Sequence, residues 1–479
     1  MSNRNIPVST NIEDYLSALY SGEWFSRYKE YITAEHSETV RVNDHRIAVD
    51  DLAGRLKNDY GINTVKIDGI TNALRVDDPQ NLIGKTLEHI MGLYYIQSLS
   101  SMIPPLLLGP EKGEKVLDMC SAPGSKSTAL SYLMNNTGTL FCNEGDYERA
   151  KSLIFNVDRM HSLNAAVTNF KGEHLPHYFY SYFDKVLVDV PCSGLGILHK
   201  KGEVSKWWSE KRMEAIAETQ YKLLVAAVKC VKPGGIIVYS TCTLTVEENE
   251  MVIDKVLKRY PVEILPAELP VKGENGFTSF GGNEFNKDVE KTHRLIPWEI
   301  NSEGFFVAKL RKTDEYENPG TDSDKLERIN YVSHGKLEKS FKVLESYFGI
   351  PVEELKRYKY TFRSGDYYMI NEDFSEDYFP KILKSGNKLG AEDKYGNFIL
   401  SSGAAQFFDK HINRYVLEIT NSADLANYMQ GLNFKVAEDL KGYRAIKYKG
   451  FILGTAAVGE GKAKSRFPRS FRTQRIHLA

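Results

Sequence analysis

The sequence predicts an α/β fold whose core is an open, largely parallel sheet covered by helices on both faces. Three observations indicate this fold. Short apolar strand patterns alternate with helical patterns from about Lys115 to Arg311. A small turn with a single glycine, SAPGSK, connects the first strand of this region to its first helix. Polar residues able to do chemistry follow several strands, and strand ends are where such sheets bind their ligands.

Each element of the core is predicted from its apolar periodicity. Strands read as short apolar runs, and helices carry apolar residues at a spacing of three to four, as at Ala150, Leu153 and Val157. The KPGG segment ends the last long helix. The expected strands are Lys115–Met119, Thr139–Asn143, Ala165–Asn169, Lys185–Val190, Ile236–Ser240 and Gly304–Leu310, and the expected helices run from SAPGSK to Met134, over Asp146–His161 and over Ser209–Val231.

Smaller regions flank this core. Before it, Arg41–Val49 and Thr64–Ile67 read as strands and Asp51–Tyr60 as a helix. After it, the turn-rich TDEYENPGTDS segment indicates a linker. The expected division is an N-terminal module at 1–103, the α/β core at 104–312, a linker at 313–324, an intermediate α/β region at 325–400 and a C-terminal domain at 401–479.

The composition is that of a globular protein without a membrane segment. Of the 479 residues, 42% are hydrophobic and 26% are charged, and the net charge is -1. Any binding of nucleic acid must therefore come from local basic patches. No apolar run approaches the roughly 18 residues of a membrane helix, and no signal-peptide pattern is visible. The five cysteines include no C-x-x-C pair, which favours a reducing cytoplasm and no metal site.

The turn from Asp118 to Lys126 predicts a nucleotide-type cofactor site. Its glycine, Gly124, lets a ligand approach the backbone closely. Glu144 ends the second strand, where a carboxylate accepts hydrogen bonds from both hydroxyls of a ribose. A single glycine disfavours NAD, which is bound by G-x-G-x-x-G. The lack of G-K-[ST] disfavours ATP or GTP hydrolysis.

A carboxylate and two thiols are expected beside this cofactor. Asp189 and Cys192 follow the fourth strand, and Cys242 follows the fifth. This set matches the needs of methylation at C5 of cytosine, a carbon that is a poor nucleophile. A thiolate adding to C6 activates C5, which is covalent catalysis. An acid near N3 and the amine stabilises the adduct, and a second thiol assists release.

The segments DMCSAPGSK, LVDVPCSG and YSTCT, in this order, resemble the motifs of the NOP/Sun family of RNA cytosine-C5 methyltransferases. The long helix, KPGG and the EEN of Glu247–Asn249 are also similar. The resemblance implies a Rossmann-like, S-adenosylmethionine-dependent methyltransferase core, with Cys242 as nucleophile and Cys192 in product release. A DNA enzyme would have only the Pro-Cys cysteine. The implied S-adenosylmethionine pocket contains Cys120, Ser121, Ala122, Pro123, Gly124, Ser125, Lys126, Glu144 and Asp189.

One position departs from the family pattern. Family members have an aspartate after the third strand, where it meets the adenine amine, but the alignment of TNFKGEHL places Lys171 there. A lysine cannot accept that hydrogen bond. A neighbouring backbone carbonyl or Glu173 is the alternative acceptor.

Weaker resemblance extends to both flanks. Val40–Asn43 and Gly92–Ser101 are similar to the RNA-recognition-like module of the family, although a purely structural role is equally open. Lys447–Gly454 is similar to a PUA-type RNA-binding domain. The basic tail would suit phosphates and stacked bases. Its residues are Lys462, Lys464, Arg466, Arg469, Arg472 and Arg475, with Phe467 and Phe471 between them.

The arrangement of the whole chain is similar to that of bacterial family members that modify 16S rRNA. The expected partner is therefore ribosomal RNA, within the small subunit or an assembly intermediate, and the expected protein is a cytoplasmic monomer. A tRNA methyltransferase with the same chemistry is one alternative. An inactive RNA-binding assembly factor is another, favoured only by Lys171. Methylation of an adenine amine is disfavoured, because DVPCSG stands where that chemistry has Pro-Pro and an aromatic residue.

Overall fold

The computed structural model of the chain describes residues 6–318, 320, 326–376, 378–472, 476 and 477. The N-terminal part begins with two helices that the sequence reading did not predict, and continues with a small antiparallel sheet in the order β2-β3-β1-β4. Its elements are α1 (Thr10–Leu19), α2 (Gly22–Thr33), β1 (Glu38–Val42), α3 (Val49–Tyr60), β2 (Asn63–Ile67), β3 (Ile70–Asp77), α4 (Leu87–Ile90), β4 (Tyr94–Ile96) and α5 (Leu99–Leu108).

The central part alternates strands and helices, as expected for an α/β core. Its elements are β5 (Lys115–Asp118), α6 (Ser125–Leu133), β6 (Thr139–Asn143), α7 (Tyr147–Arg159), β7 (Ala165–Thr168), β8 (Phe183–Asp189), α8 (Val204–Trp207), α9 (Glu210–Cys230), β9 (Val231–Thr241), α10 (Glu250–Leu257), β10 (Val262–Ile264), β11 (Glu274–Asn275), β12 (Ser279–Phe280), β13 (Asn283–Glu284), β14 (His293–Leu295), α11 (Pro297–Ile300) and β15 (Phe305–Lys312).

The central sheet confirms the predicted parallel core. Strands β7, β6, β5, β8 and β9 lie side by side in this order and are parallel. The strand β15 pairs antiparallel with β9, which extends the sheet on that side. The buried residues of the strands are apolar on both faces, since helices cover both. Helices α5, α6 and α7 pack on one face, and α1, α2, α9 and α10 pack on the other.

Two element predictions were wrong in detail. The strand expected over Arg41–Val49 ends at Val42, because the chain turns there and Val49 already begins α3. The KPGG segment was predicted to end the helix, but the helix already ends at Cys230 and KPGG lies inside β9. The pairing of β8 with β9 shifts register between Phe183 and Lys185. The four residues of KPGG on β9 therefore form an irregularity within this strand pair.

The C-terminal part contains two five-stranded sheets, in the orders β17-β18-β19-β22-β23 and β24-β26-β27-β28-β25. Its elements are β16 (Glu327–Arg328), β17 (Tyr331–Val332), α12 (His334–Phe348), α13 (Val352–Leu355), β18 (Tyr358–Arg363), β19 (Asp366–Asn371), β20 (Tyr378–Phe379), β21 (Ile382–Ser385), β22 (Asn387–Glu392), β23 (Phe398–Leu400), α14 (Ser402–Phe407), β24 (Val416–Glu418), α15 (Ser422–Met429), β25 (Asn433–Lys435), β26 (Gly442–Tyr448), β27 (Phe451–Gly459) and β28 (Lys462–Ser465). The expected linker at 313–324 lies partly outside the described residues.

The C-terminal part contacts the rest of the protein at several places, of which two involve sheets. Strand β21 pairs antiparallel with β7 and so becomes the edge of the central sheet. The last sheet shares one apolar core with the N-terminal sheet. At this junction Arg55 packs over the ring of Phe451, and Lys449 forms an ion pair with Asp59. None of the helices in the described ranges is long and apolar enough to span a membrane.

A buried ion pair links strand β14 of the central sheet to the start of α10. The side chains of Arg294 and Glu250 are 1% and 0% exposed, and Arg294 also donates to the carbonyl of Leu244. Removing one partner leaves a buried charge without compensation. We expect Glu250→Ala to lower the free energy of unfolding by about 3–5 kcal/mol in urea titrations.

The matched control is Lys255→Ala, which breaks an exposed ion pair with Glu218. Exposed pairs contribute less than about 1 kcal/mol, so this variant should unfold almost like the unmodified protein. Equal losses in the two variants would contradict the structural role given to the buried pair.

Candidate active site

The site lies where the strand order of the central sheet reverses direction. Starting from β5, the chain adds β6 and β7 on one side and then β8 and β9 on the other. The carboxyl ends of β5 and β8 therefore border a crevice, which is the usual ligand site of an open α/β sheet. The loop from Cys120 to Lys126 follows β5 at this edge, and Asp189 is the last residue of β8.

The loop after β5 is held by backbone hydrogen bonds. The N–H of Met119 donates to the carbonyl of Leu187 at 2.9 Å, and the N–H of Ser121 donates to the carbonyl of Asn143 at 2.8 Å. Gly124 has a φ of 108°, a conformation that favours glycine, and α6 begins directly after it. The helix thus starts at the floor of the crevice, with its N–H groups directed toward a bound ligand.

Glu144 lies beside this loop, as predicted. It is 5% exposed, and its carboxylate accepts hydrogen bonds from the backbone N–H groups of Ala122 at 3.3 Å and Asp146 at 3.0 Å. An ionised carboxylate has about four acceptor positions, so others remain for the two hydroxyls of a ribose. The neighbouring Gly145 is exposed and has no side chain to fill that space.

Asp118 is a polar group that the loop encloses almost completely. It is 1% exposed, one oxygen accepts from Ser127, and the other has no hydrogen-bond partner among the described residues. Burial raises the pKa of Asp118 to about 7. A cationic amine or a bridging water would satisfy the remaining oxygen. The donors and acceptors of this crevice therefore fit S-adenosylmethionine, which carries a ribose and an ammonium group.

The raised pKa of Asp118 predicts how stability changes with pH. Because the folded state holds this proton more tightly than the unfolded state, the contribution favours folding at low pH and is lost as pH rises from about 4 through about 7. We expect Asp118→Asn, which stays neutral, to lose less unfolding free energy between about pH 5 and about pH 8 than the unmodified protein does. Urea titrations at both pH values test this; an equal loss in both proteins would contradict it.

The two predicted thiols meet at the ends of β8 and β9. The sulfur atoms of Cys192 and Cys242 are 2.8 Å apart, and both cysteines are free and partly exposed. The hydrogen bond with Cys242, together with burial, raises the pKa of Cys192 well above its usual range. Cys192 therefore carries its proton at neutral pH while Cys242 remains its neighbour. The backbone N–H of Gly196 donates to the carbonyl of Cys242 at 3.0 Å and fixes the two loops together.

Lys126, in the first turn of α6, pairs with the carboxylate of Asp189 at the end of β8. The Nζ of Lys126 lies 2.7 Å from Oδ2 of Asp189 and 3.0 Å from Oγ of Ser101, while Oδ1 of Asp189 accepts from Ser240 at 2.7 Å. Burial alone would lower the pKa of Lys126, but the charge and the hydrogen bond of Asp189 raise it above its ordinary value.

A buried carboxylate that sequence reasoning largely missed supports both cysteine loops. Glu248 accepts hydrogen bonds from the backbone of Ser193, from Gln220 and from Thr245, each at 2.8 Å. The sequence indicated Glu248 only through the resemblance of the EEN segment. Gln220 lies within a long amphipathic helix, and nothing in the sequence pattern distinguishes it from its neighbours.

One residue of the basic tail has another position than expected. Lys462 on β28 is exposed, but Phe467 is 1% exposed and belongs to the core shared with the N-terminal sheet. The expectation that Phe467 stacks on bases was therefore wrong. The predicted Arg475 lies outside the described residues. Arg41 is also buried and donates to Gln97 within the N-terminal part, which favours the structural reading of that motif.

The chain is similar to known RNA methyltransferases. The family model described as 16S rRNA methyltransferase RsmB/F matches residues 105–311. The chain is 32% identical to the ribosomal RNA small subunit methyltransferase F of Shewanella oneidensis over 92% of both proteins. It is 38% identical to the 25S rRNA (cytosine-C(5))-methyltransferase nop2 of Schizosaccharomyces pombe, over 61% of this chain and 47% of that protein.

Other relatives match part of the chain. The chain is 38% identical to a human 28S rRNA (cytosine(4447)-C(5))-methyltransferase but spans only 34% of its length. A crystal structure of a methyltransferase homologue from Pyrococcus horikoshii superposes with a TM-score of 0.57 at 33% identity, covering 64% of this chain and 96% of that one. These matches confirm the Rossmann-like methyltransferase core and the family resemblance drawn from the sequence. The chain belongs to the RsmB/F family of rRNA cytosine-C5 methyltransferases.

Proposed function

We propose that the protein transfers a methyl group from S-adenosylmethionine to C5 of a cytosine in 16S rRNA through a covalent adduct of Cys242. The observation that carries this proposal is the contact between Cys242 and Cys192, 2.8 Å apart, beside the pair formed by Lys126 and Asp189. A nucleophilic thiol, a second thiol and a charged pair at the edge of a cofactor loop are the groups that cytosine-C5 methylation requires.

The cofactor is proposed to bind along the loop from Cys120 to Lys126, with Glu144 accepting from its ribose and Asp189 at the far end. When bound, S-adenosylmethionine supplies the methyl group as an electrophile. The exposed Lys171 cannot accept a hydrogen bond from adenine. A backbone carbonyl near this position is the proposed substitute, and Glu173 is the alternative.

Cys242 begins the proposed reaction. Its thiolate adds to C6 of the cytosine, which forms a sulfur–carbon bond and moves an electron pair toward C5. Lys126 offers a donor near N3. Because Asp189 is paired with Lys126 and accepts from Ser240, its carboxylate suits the exocyclic amine as an acceptor.

Cys192 completes the proposed reaction after the methyl group has reached C5. The main cause of its raised pKa is the hydrogen bond with Cys242, and a Cys242 bonded to C6 no longer offers a thiol to that bond. Cys192 can then release its own proton to solvent, and the resulting thiolate accepts the proton from C5. The electron pair of the broken C5–H bond restores the C5–C6 double bond and expels the thiolate of Cys242.

The flanking regions are proposed to bind the RNA, with 1–103 as an RNA-recognition-like module and 401–479 as a PUA-like domain. Exposed cations on the last sheet and the turn after it support the second assignment, since they suit a phosphate backbone. These cations are Lys462, Lys464, Arg466 and Arg469. The substrate is proposed to be the small subunit or an assembly intermediate, and the protein a cytoplasmic monomer.

The proposal is tested with purified protein, labelled S-adenosylmethionine and RNA from a strain that lacks the gene. Small subunits, free 16S rRNA and tRNA are supplied separately, and the product nucleoside is identified by mass spectrometry. We expect 5-methylcytidine in the small subunit or in its rRNA. Methylation of tRNA alone would show that the substrate is tRNA and not rRNA. If no RNA is methylated, the inactive assembly factor is favoured.

A further inference from the structure

A buried histidine whose ring nitrogens make no hydrogen bond among the described residues lies far from the reacting groups. His161 follows α7 at the end of the helix remote from Glu144 and is 3% exposed. Neither of its ring nitrogens has a hydrogen-bond partner among the described residues. Leaving such nitrogens unpaired in the interior is unfavourable by about 1–3 kcal/mol, so this arrangement calls for a bound group.

His161 lines two cavities, one on each side. The larger, about 280 Å³, is enclosed by residues from α7, β22, α14 and the C-terminal tail. The smaller, about 160 Å³, is bordered by the N-terminal part and the core. The larger cavity is the better ligand site, because its volume is close to that of typical small-molecule sites and its rim includes exposed residues.

The lining of the larger cavity mixes apolar and polar groups, and the charged residues Asp158, Lys388 and Arg466 also border it. Burial and the charges of Arg46 and Lys384 hold the pKa of His161 well below its usual range, so the imidazole is neutral and offers one donor and one acceptor. Other polar groups of the interior come from Asn387, Ser401, Ser402 and Gln406. At the rim are the exposed Arg466 and the half-buried ring of Phe471.

We propose that this cavity binds an unstacked nucleotide of the RNA substrate. His161 hydrogen-bonds the edge of the base, Phe471 contacts its face, and Arg466 pairs with a phosphate, which is how proteins bind single-stranded RNA. The cavity lies about 20 Å from the cofactor edge, the length of the 13-residue α7. It therefore anchors the RNA at a distance from the methylated cytosine. This inference rests on the proposed RNA substrate.

Two variants test the site independently. His161→Phe keeps a ring and removes both nitrogens. Ser470→Trp narrows the mouth from an exposed position without changing the interior. Lys435→Ala is the control. Lys435 is an exposed cation of the last sheet, and it does not line the cavity. Thermal melting shows that each variant is folded.

The affinity for small-subunit RNA and the steady-state kinetics are then measured. We expect a roughly tenfold higher Kd and KM in both cavity variants, an unchanged kcat at saturating RNA, and near-normal binding in the control. The ring signals of His161 in the NMR spectrum of the unmodified protein should move when RNA is added. Normal affinity in both folded variants, or unmoved ring signals, would overturn the inference.

This test separates the inference from the proposed function. If the unmodified protein binds RNA but transfers no methyl group, and the cavity variants still lose affinity, the cavity assignment stands and the activity fails. If the unmodified protein methylates RNA and both cavity variants do so with a normal KM, the activity stands and the cavity assignment fails.

Discussion

Replacing Cys242 with alanine should abolish methyl transfer, lowering kcat/KM by roughly 10⁴-fold or more. Without the thiolate, C5 of cytosine stays a poor nucleophile, because the second thiol, Cys192, is assigned to product release and not to addition at C6. Binding of S-adenosylmethionine should remain within about twofold of normal, because Cys242 lies at the end of β9 rather than in the loop after β5. Labelled methyl transfer and calorimetric cofactor binding measure the two effects.

Cys230→Ala is the matched control for this loss. Cys230 ends α9, is fully buried and lies outside the crevice. Its replacement should lower stability and leave the rate of methylation nearly unchanged. Residual activity above about one hundredth of normal in Cys242→Ala would show that another residue is the nucleophile.

Replacing Cys192 with alanine should trap the RNA on the protein. Addition by Cys242 still proceeds, but the proton at C5 leaves slowly because its nearest acceptor has been removed. The covalent complex should therefore accumulate with time in the presence of S-adenosylmethionine and RNA. A band that survives denaturing electrophoresis and disappears after ribonuclease treatment is the expected signature.

The double variant is the decisive control for the trapped complex. Cys192→Ala combined with Cys242→Ala should form no stable band, since the sulfur that bonds to C6 is gone. If Cys242→Ala alone accumulates the complex while Cys192→Ala does not, the two roles are reversed.

The core of the fold was predictable because its signals are local. The strand at Thr139–Asn143 was predicted with its observed limits, and the ends of β8 and β9 brought Cys192 and Cys242 to one edge of the sheet, as parallel strands require. Apolar periodicity and motif spacing reside within short segments. They therefore identify elements and strand ends without knowledge of the rest of the chain.

Features made by distant segments were not predictable in the same way. The pairing of β21 with β7 joins residues more than 200 positions apart. The N- and C-terminal sheets share one apolar core, which the apolar pattern of neither segment predicts. Phe467 in the basic tail looked like a stacking residue because its neighbours are cationic, yet its own side chain fills that shared core. The role of Lys126 as partner of Asp189 also depends on two loops meeting in space.

The unpaired nitrogens of His161 are also a feature that distant segments create together. A histidine after a helix is unremarkable in sequence, and only the arrangement of α7 against α14 and the tail encloses it between two cavities. Its interest comes from burial without a partner, a property that no single segment determines.

The central claim is methylation of C5 of one cytosine in 16S rRNA through Cys242. Bisulfite sequencing of total rRNA and tRNA tests it most directly, in a strain that lacks the gene and carries either the unmodified gene or Cys242→Ala. One protected cytosine in 16S rRNA should disappear with the gene, return with the unmodified protein and stay absent with the variant. Protection restored by the variant, or no cytosine in any RNA that depends on the gene, would contradict the claim.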